Sequence, residues 1–396
     1  MSGGDIAWVL MSSALVLFMT PGLALFYGGM VRGKNVLNML MMNFFTISIV
    51  TVIWVLVGWT LAFGGEGGGF IGDFSELGFS GLEGENLLGA MFQLTFAIIT
   101  PALISGAVAG RMKFSAWVLF TALWALLVYP VVAHWAWAGW LADLGAIDFA
   151  GGLVVHINAG VAALALVLVL GARKGFGKEA FRPHSLPLTL IGAGILWFGW
   201  FGFNAGSAFG ANDGAINAMV TTQIGAALGA LGWVAAEWRK TGAPTTLGAA
   251  SGAIAGLVAI TPAAGFVGPL AAFAFGLLAG LFCYLAVSLK FRFGYDDSLD
   301  VVGVHLVGGI VGSLLLGLLA QGAIGGVDGA LYGNTVQLWY QFVGVVAVLI
   351  FSFVATWIIA KVVDATVGLR ADDDAEAEGL DISIHEERAY VLSDSR

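Results

Sequence analysis

DFAGGLVVHINAG, residues 148–160, places a carboxylate eight residues ahead of a histidine inside an otherwise apolar run. Read as a helix rising about 1.5 Å per residue, the stretch sets His156 roughly 12 Å below Asp148. With Asp148 at a bilayer surface, His156 then lies near the midplane of a hydrocarbon core about 30 Å thick. A second histidine has a similar setting: Asp300, then VVGVH ending at His305, then another apolar run. Each histidine follows a valine and precedes a glycine by four residues, Gly160 in one case and Gly309 in the other. Two intramembrane histidines in matching halves of a chain suggest a path through the membrane.

Composition agrees with that setting. Of 396 residues, 59% are hydrophobic and only 10% charged, so a water-soluble surface of the usual kind cannot be assembled. Long apolar stretches recur from end to end, which indicates one polytopic helical domain rather than soluble domains with an anchor. The single cysteine, Cys283, lies in an apolar stretch, which rules out an intrachain disulfide framework and leaves it a packing role. The N-terminal MSGGDIAW has no basic segment, and the apolar run after it is longer than a signal-peptide core, so it reads as a retained first helix.

Charges and polar breaks divide the chain into eleven helix-length spans: roughly 6–31, 36–63, 87–110, 114–134, 149–171, 187–205, 214–238, 245–262, 266–289, 301–320 and 335–362. Basic residues follow only the odd-numbered spans: Arg32 and Lys34; Arg111 and Lys113; Arg173, Lys174, Lys178 and Arg182; Arg239 and Lys240; Lys290 and Arg292; then Lys361, Arg370, Arg388 and Arg396. These are all sixteen Lys and Arg of the chain. A wrong span count would scatter them over both sides. The positive-inside rule therefore predicts an N-terminus outside and a C-terminus in the cytoplasm.

The predicted outer side carries ten acidic residues and no basic one: Asp5, Glu66, Asp73, Glu76, Glu83, Glu85, Asp143, Asp148, Asp213 and Asp328. Such a mouth favours cations over anions. The absence of Lys and Arg there is also what the topology rule alone produces. Spans five and ten run in opposite directions, so spans one to five (about 6–171) and six to ten (about 187–320) are predicted to be inverted repeats, with the eleventh span (335–362) outside them. One geometric objection follows from the spacing. Five residues carry His305 only about 8 Å from Asp300, so at least one of the two helices must begin below the surface. Residues 363–396 form a polar, acidic cytoplasmic tail too short for an enzyme domain.

Desolvated imidazoles favour their neutral form, and two neutral rings in contact offer a donor and an acceptor each. They suit the lining of a path for a small hydrogen-bonding molecule, a proton relay, or a purely structural interhelical bond. A metal site is disfavoured, because no cysteine and few other ligands cluster here. Phe92 and Phe96, four residues apart, share a helix face. Phe203 lies in ILWFGWFGFNAGSA with Ser207 close behind, and Trp135, Trp137 and Trp140 crowd the end of span four. Tryptophans there are commonly interfacial anchors. Beside an acidic mouth, an aromatic cluster also offers cation–π binding worth about 1–2 kcal/mol. Asp148 either binds a cation or caps the helix that follows, and the free backbone donors of FAGG favour capping.

At these residues the chain resembles the ammonium transporter family, with its Amt, Mep and Rh branches, and most closely the prokaryotic Amt proteins. The resemblance is carried by FYGGMVRGKN (26–35), DFAGGLVVHINAG (148–160), WFGFNAGSA (200–208), ITPAAGFVGP (260–269) and DDSLDVVGVH (296–305). It implies eleven spans with inverted five-helix repeats, a homotrimer in the cell membrane with one path per subunit, and ammonium or methylammonium as substrate. It also implies that His156 and His305 form a twin-histidine pore pair and that Phe96 and Phe203 form an aromatic gate. Phe92, Trp137 and Ser207 correspond to an ammonium recruitment site, with Asp148 as the structural carboxylate beside it. The tail, with GLR (368–370), EGLD (378–381) and HEERAY (385–390), is similar to one docked by PII-type regulators, although Glu386 stands where the family usually has glycine. No enzymatic activity, cofactor, metal or nucleic-acid partner is expected. Two other functions stay open, an Rh-like facilitator of neutral gas and an ammonium sensor acting through the tail.

Overall fold

The structure is a computed structural model describing residues 1–65 and 68–390; Glu66 and Arg396, assigned above to opposite faces, lie outside the described residues. It is helical throughout, apart from turns and one bridge between Met112 and Arg370. Among the described residues, ten helices are long and apolar enough to cross a membrane. They are α1 (Gly3–Met30), α2 (Val36–Phe63), α3 (Gly84–Val108), α4 (Phe114–Leu144), α5 (Gly152–Leu170), α6 (Leu186–Gly206), α7 (Asp213–Thr241), α9 (Pro269–Phe293), α10 (Val302–Leu319) and α11 (Thr335–Thr366). The eleventh is the shorter apolar helix α8 (Thr246–Ile260), which reaches about 22 Å and continues as turns through Thr261 and Pro262.

Local sequence explains where these rods begin and bend. Asn212 and Thr245 cap α7 and α8 by accepting the Ala215 and Gly248 N–H groups at 3.0 and 2.9 Å. α4 breaks at Val128, ahead of Pro130, because proline cannot donate to the preceding turn. α7 and α8 approach through Gly229 and Gly256, where a single added Cβ would strike the facing backbone. With lipid as solvent, close backbone packing of this kind supplies the attraction that hydrophobic burial supplies in water.

Two pairings define the centre of the bundle. The first helices of the two repeats, α1 and α6, lie along each other, and their last helices, α5 and α10, cross in the middle. α11 packs along α5 and α10 from outside, presenting Gln337, Gln341, Gly344, Val348, Ser352 and Thr356 on one buried stripe. Beyond it the tail folds back on the face that carries the basic loops. Lys113 N–H donates to the Leu369 carbonyl and Ala371 N–H to that of Arg111, both at 2.9 Å. Two short helices follow, α12 (Asp373–Glu378) and α13 (Leu380–His385). The Asp381 carboxylate accepts the Asn38 N–H at 2.9 Å, and Asn38 Nδ2 lies 3.1 Å from His385 Nε2. Glu386 adopts φ +57°, the left-handed conformation that glycine takes most readily.

On that same face a buried ionic cluster ties the loops together. Asp296 accepts two hydrogen bonds from the Arg173 guanidinium at 2.8 and 2.7 Å, while Arg111 donates to Gly171, Ala107 and Ser298. Burial alone would raise the Asp296 pKa, but the Arg173 bonds and the Arg111 charge hold it below 3.8.

Candidate functional site

α5 and α10 each open with a π-helical stretch, Gly152–Ile157 and Val302–Leu306, and each stretch carries a histidine. A π turn inserts an extra residue and so redirects the side chains it bears. Both histidines point into the seam between the two helices. Their rings are 5.4 Å apart and 21° from parallel, with Nδ1 to Nδ1 at 3.3 Å. One Nδ1–H therefore donates to the other Nδ1, which leaves one ring with an Nε2 lone pair and the other with an Nε2–H. His156 Nε2 is buried and has no protein partner.

The crossing has the symmetry expected of inverted repeats. A Cβ on Gly160, four residues after His156, would sit 2.7 Å from Leu306 Cα, beside His305; a Cβ on Gly309, four after His305, would sit 3.1 Å from Ile157 N, beside His156. The two Val-His-x-x-x-Gly elements thus clasp each other reciprocally, each glycine admitting the backbone next to the other histidine.

The structure revises the pairing of carboxylates. The counterpart of Asp148 is Asp297, also eight residues ahead of its histidine, and not Asp300. Asp148 accepts N–H bonds from Gly151, Gly152, Leu153 and Val154 at 2.5–3.0 Å. Asp297 accepts the Val302 N–H at 2.7 Å, whereas Asp300 adopts φ +65° and pairs with Lys290 at 2.6 Å. Both capping carboxylates are buried, and their equal spacing from the two histidines removes the spacing objection. Burial pushes the Asp148 carboxyl up to about 6 against its four N–H bonds, and burial also raises that of Asp297, where the Lys290 charge opposes the shift and the Asp300 charge adds to it.

Toward the opposite, acidic face a column of aromatic rings leads away from the histidines. Phe203 is stacked 6.0 Å from His156 and 4.2 Å from Phe96, which closes the column. Trp200, whose Nε1–H donates to Thr261 at 2.9 Å, stacks on the His156 ring at 5.4 Å. Beyond Phe96 opens a cavity of about 370 Å³ lined by Trp137, Ser207, Trp59, Phe63, Phe149 and Phe209, among others. Trp137 Nε1–H donates to the Asp148 carbonyl at 2.8 Å, and Ser207 Oγ–H donates to that of Phe203 at 2.8 Å. Trp135 and Trp140 meet edge-to-face away from this cavity, toward Phe351 on α11. Phe92 is fully buried behind the cavity wall, its ring 4.9 Å from Phe96 and 5.3 Å from Phe209.

Below the rings, the histidines face a narrow apolar void lined by Leu23, Phe26, Ile99 and Leu103, with room for about one water-sized molecule. The sequence reading missed Trp59, Phe63 and Phe209 in the mouth. Trp59 and Phe63 were detectable as an i, i+4 pair at a helix end, and Phe209 as the ring two residues beyond Ser207.

Comparison with known proteins places this arrangement. An ammonium transporter of Mycobacterium tuberculosis is 52% identical over 98% of this chain and 90% of its own. The ammonium transporter Amt1 of Archaeoglobus fulgidus is 49% identical over 99% of this chain and all of its own length. The crystal structure of Candida albicans Mep2 superposes with a TM-score of 0.90 at 34% identity, covering 99% of this chain and 94% of that one. The family model described as Ammonium Transporter Family matches residues 7–390, so the chain belongs to that family and is a multi-pass membrane transporter.

Proposed function

We propose that this chain takes up ammonium by recruiting the cation at the aromatic cavity, removing its proton and conducting ammonia along His156 and His305. The single observation that carries the reading is the order of elements along one line: cavity, Phe96 on Phe203, the coupled histidines, then a narrow apolar void. Trp137 offers its indole face to a cation, Ser207 offers hydroxyl lone pairs, and Phe92 backs the wall. The Phe96–Phe203 stack then excludes hydrated ions. A bare cation in the void below would lose its hydration without compensation, at a cost of tens of kcal/mol in the idealised limit. Ammonia escapes that cost, and its lone pair and N–H groups match the one donor and one acceptor that the paired imidazoles present. Potassium has no proton to give up, which is the basis of discrimination. Asp148 acts as a structural support in this scheme, holding the π turn that aims His156.

The charge pattern supports an acidic face outside and a basic face, with the C-terminus, in the cytoplasm of a cell-membrane protein. The whole path runs within one chain, so each subunit of the homotrimer that the family resemblance implies would carry its own. The tail docked on the basic face offers a surface to a PII-type regulator.

Purified protein in proteoliposomes tests the proposal through methylammonium uptake and ammonium-evoked current on a solid-supported membrane. Saturable uptake with potassium excluded is the expected result. Absence of uptake overturns the proposal in favour of a sensor, and uptake without current identifies an Rh-like neutral pathway in which no charge follows.

A further inference from the structure

We infer that Gln341, on the helix outside the two repeats, is a positioning residue that holds the Trp137 side of the mouth in register; the inference rests on the proposed reading of that cavity as the ammonium site. Gln341 is fully buried. Its Oε1 accepts the Ile147 N–H at 2.6 Å, and its Nε2 donates to the Ile147 carbonyl at 2.8 Å. A single side chain thus grips both polar groups of one residue, as a neighbouring strand would. The orientation of the amide is set by Gln337, one turn earlier. Gln337 Nε2 donates to the Gly145 carbonyl at 2.9 Å and to Gln341 Oε1 at 3.3 Å, so that oxygen must be the acceptor.

The gripped residue adjoins the site on its C-terminal side. Asp148 follows, with its carbonyl bonded to Trp137 and its carboxylate capping α5. Phe149 comes next, lining the cavity while its N–H donates to the Pro262 carbonyl at 3.1 Å. The segment has no regular structure of its own. Its register depends on these bonds, and α11, outside the repeats, supplies two of them through Gln341 to Ile147 and one through Gln337 to Gly145. Ser352 extends the same stripe of α11, donating to the Asn158 carbonyl at 3.1 Å, so α11 braces both α5 and the loop that leads into it.

The test compares Gln341→Leu, Trp137→Phe and the double variant by methylammonium uptake in proteoliposomes. Losing both bonds to Ile147 should raise KM about tenfold with Vmax within about twofold. Because both changes act through the same indole, the double variant should be no worse than the poorer single one. Gln341→Glu supplies a second readout. At neutral pH its extra carboxylate oxygen opposes the Ile147 carbonyl, but the protonated acid can accept from N–H and donate O–H as the amide does. Its KM relative to the native protein should therefore fall toward one as pH drops from 8 to about 5, a burial-raised pKa bringing the change into that range. The inference is overturned if Gln341→Leu leaves KM unchanged while Trp137→Phe raises it, if the two effects add, or if the Gln341→Glu ratio ignores pH. Should Trp137→Phe itself leave KM unchanged, the reading of the cavity falls first. If Gln341→Leu does not fold, the pH series on Gln341→Glu decides alone.

Discussion

Replacing Asp148 by asparagine is the perturbation whose cost the structure states most directly. The carboxylate presents Oδ1 to the Gly151 and Gly152 N–H groups and Oδ2 to those of Leu153 and Val154. An asparagine can keep one such pair with its single oxygen. Its NH2 group then points at the other two N–H groups, donor against donor, inside a buried site. Two hydrogen bonds to a charged acceptor are worth about 3–6 kcal/mol together, and the amide recovers part of that because burying it costs less than burying a carboxylate. A net loss of about 2–4 kcal/mol is expected. Asp148→Glu keeps the charge but inserts a methylene into a packed site, for about 1–3 kcal/mol. The fraction of detergent-purified protein that stays monodisperse after heating should rank native above Asp148→Glu above Asp148→Asn, with methylammonium uptake following the same order. An Asp148→Asn protein as heat-stable as the native one and equally active would refute the support role. Equal stability with uptake abolished would instead make Asp148 a proton acceptor.

Two other expectations follow from the crossing and the tail. Gly160→Val adds bulk where even a Cβ meets the Leu306 backbone; it should separate α5 from α10 and abolish uptake, whereas Gly194→Ala, at an exposed position of α6 where a Cβ meets nothing, should leave uptake intact. His385 accepts from Asn38 at Nε2 as a neutral ring, and burial lowers its pKa below 6.5 despite the nearby Asp381 and Glu387 charges. The undocked form therefore binds the proton more readily, so docking strength from this group is complete above about pH 6.5 and declines as pH falls through the lowered value. Hydrogen-exchange protection over residues 372–390, taken relative to the slower intrinsic exchange at lower pH, should fall on acidification, and His385→Gln should remove that pH dependence without undocking the tail.

Much of this architecture was legible in the chain because charge parity is a strong constraint. Sixteen basic residues falling after odd-numbered spans only fit eleven crossings, and the helix bounds follow the predicted ones to within a few residues, except that α4 runs on to Leu144 rather than ending near residue 134. The twin histidines were legible because a polar ring in an apolar run is costly unless it has a use. The carboxylate pairing was misread because three aspartates stand together before His305, and the nearest in sequence drew attention from the one at matching spacing. The π turns left no trace, since apart from the histidines their residues are ordinary apolar ones and the distortion arises where two helices cross. Phe92 shares a face with Phe96, as its spacing requires, but only the packed structure shows that Phe209 stands between it and the mouth. Gln341 was invisible for a related reason, because nothing in α11 marks a glutamine as the partner of a loop 194 residues away.

The central claim is that neutral ammonia, not a cation, passes the coupled imidazoles, and parallel potassium and methylammonium fluxes through native and His156→Ala proteoliposomes test it most directly. The native protein should carry methylammonium and exclude potassium, and the variant should either lose methylammonium uptake or admit potassium. Unchanged flux together with unchanged selectivity would remove the histidines from the transport mechanism.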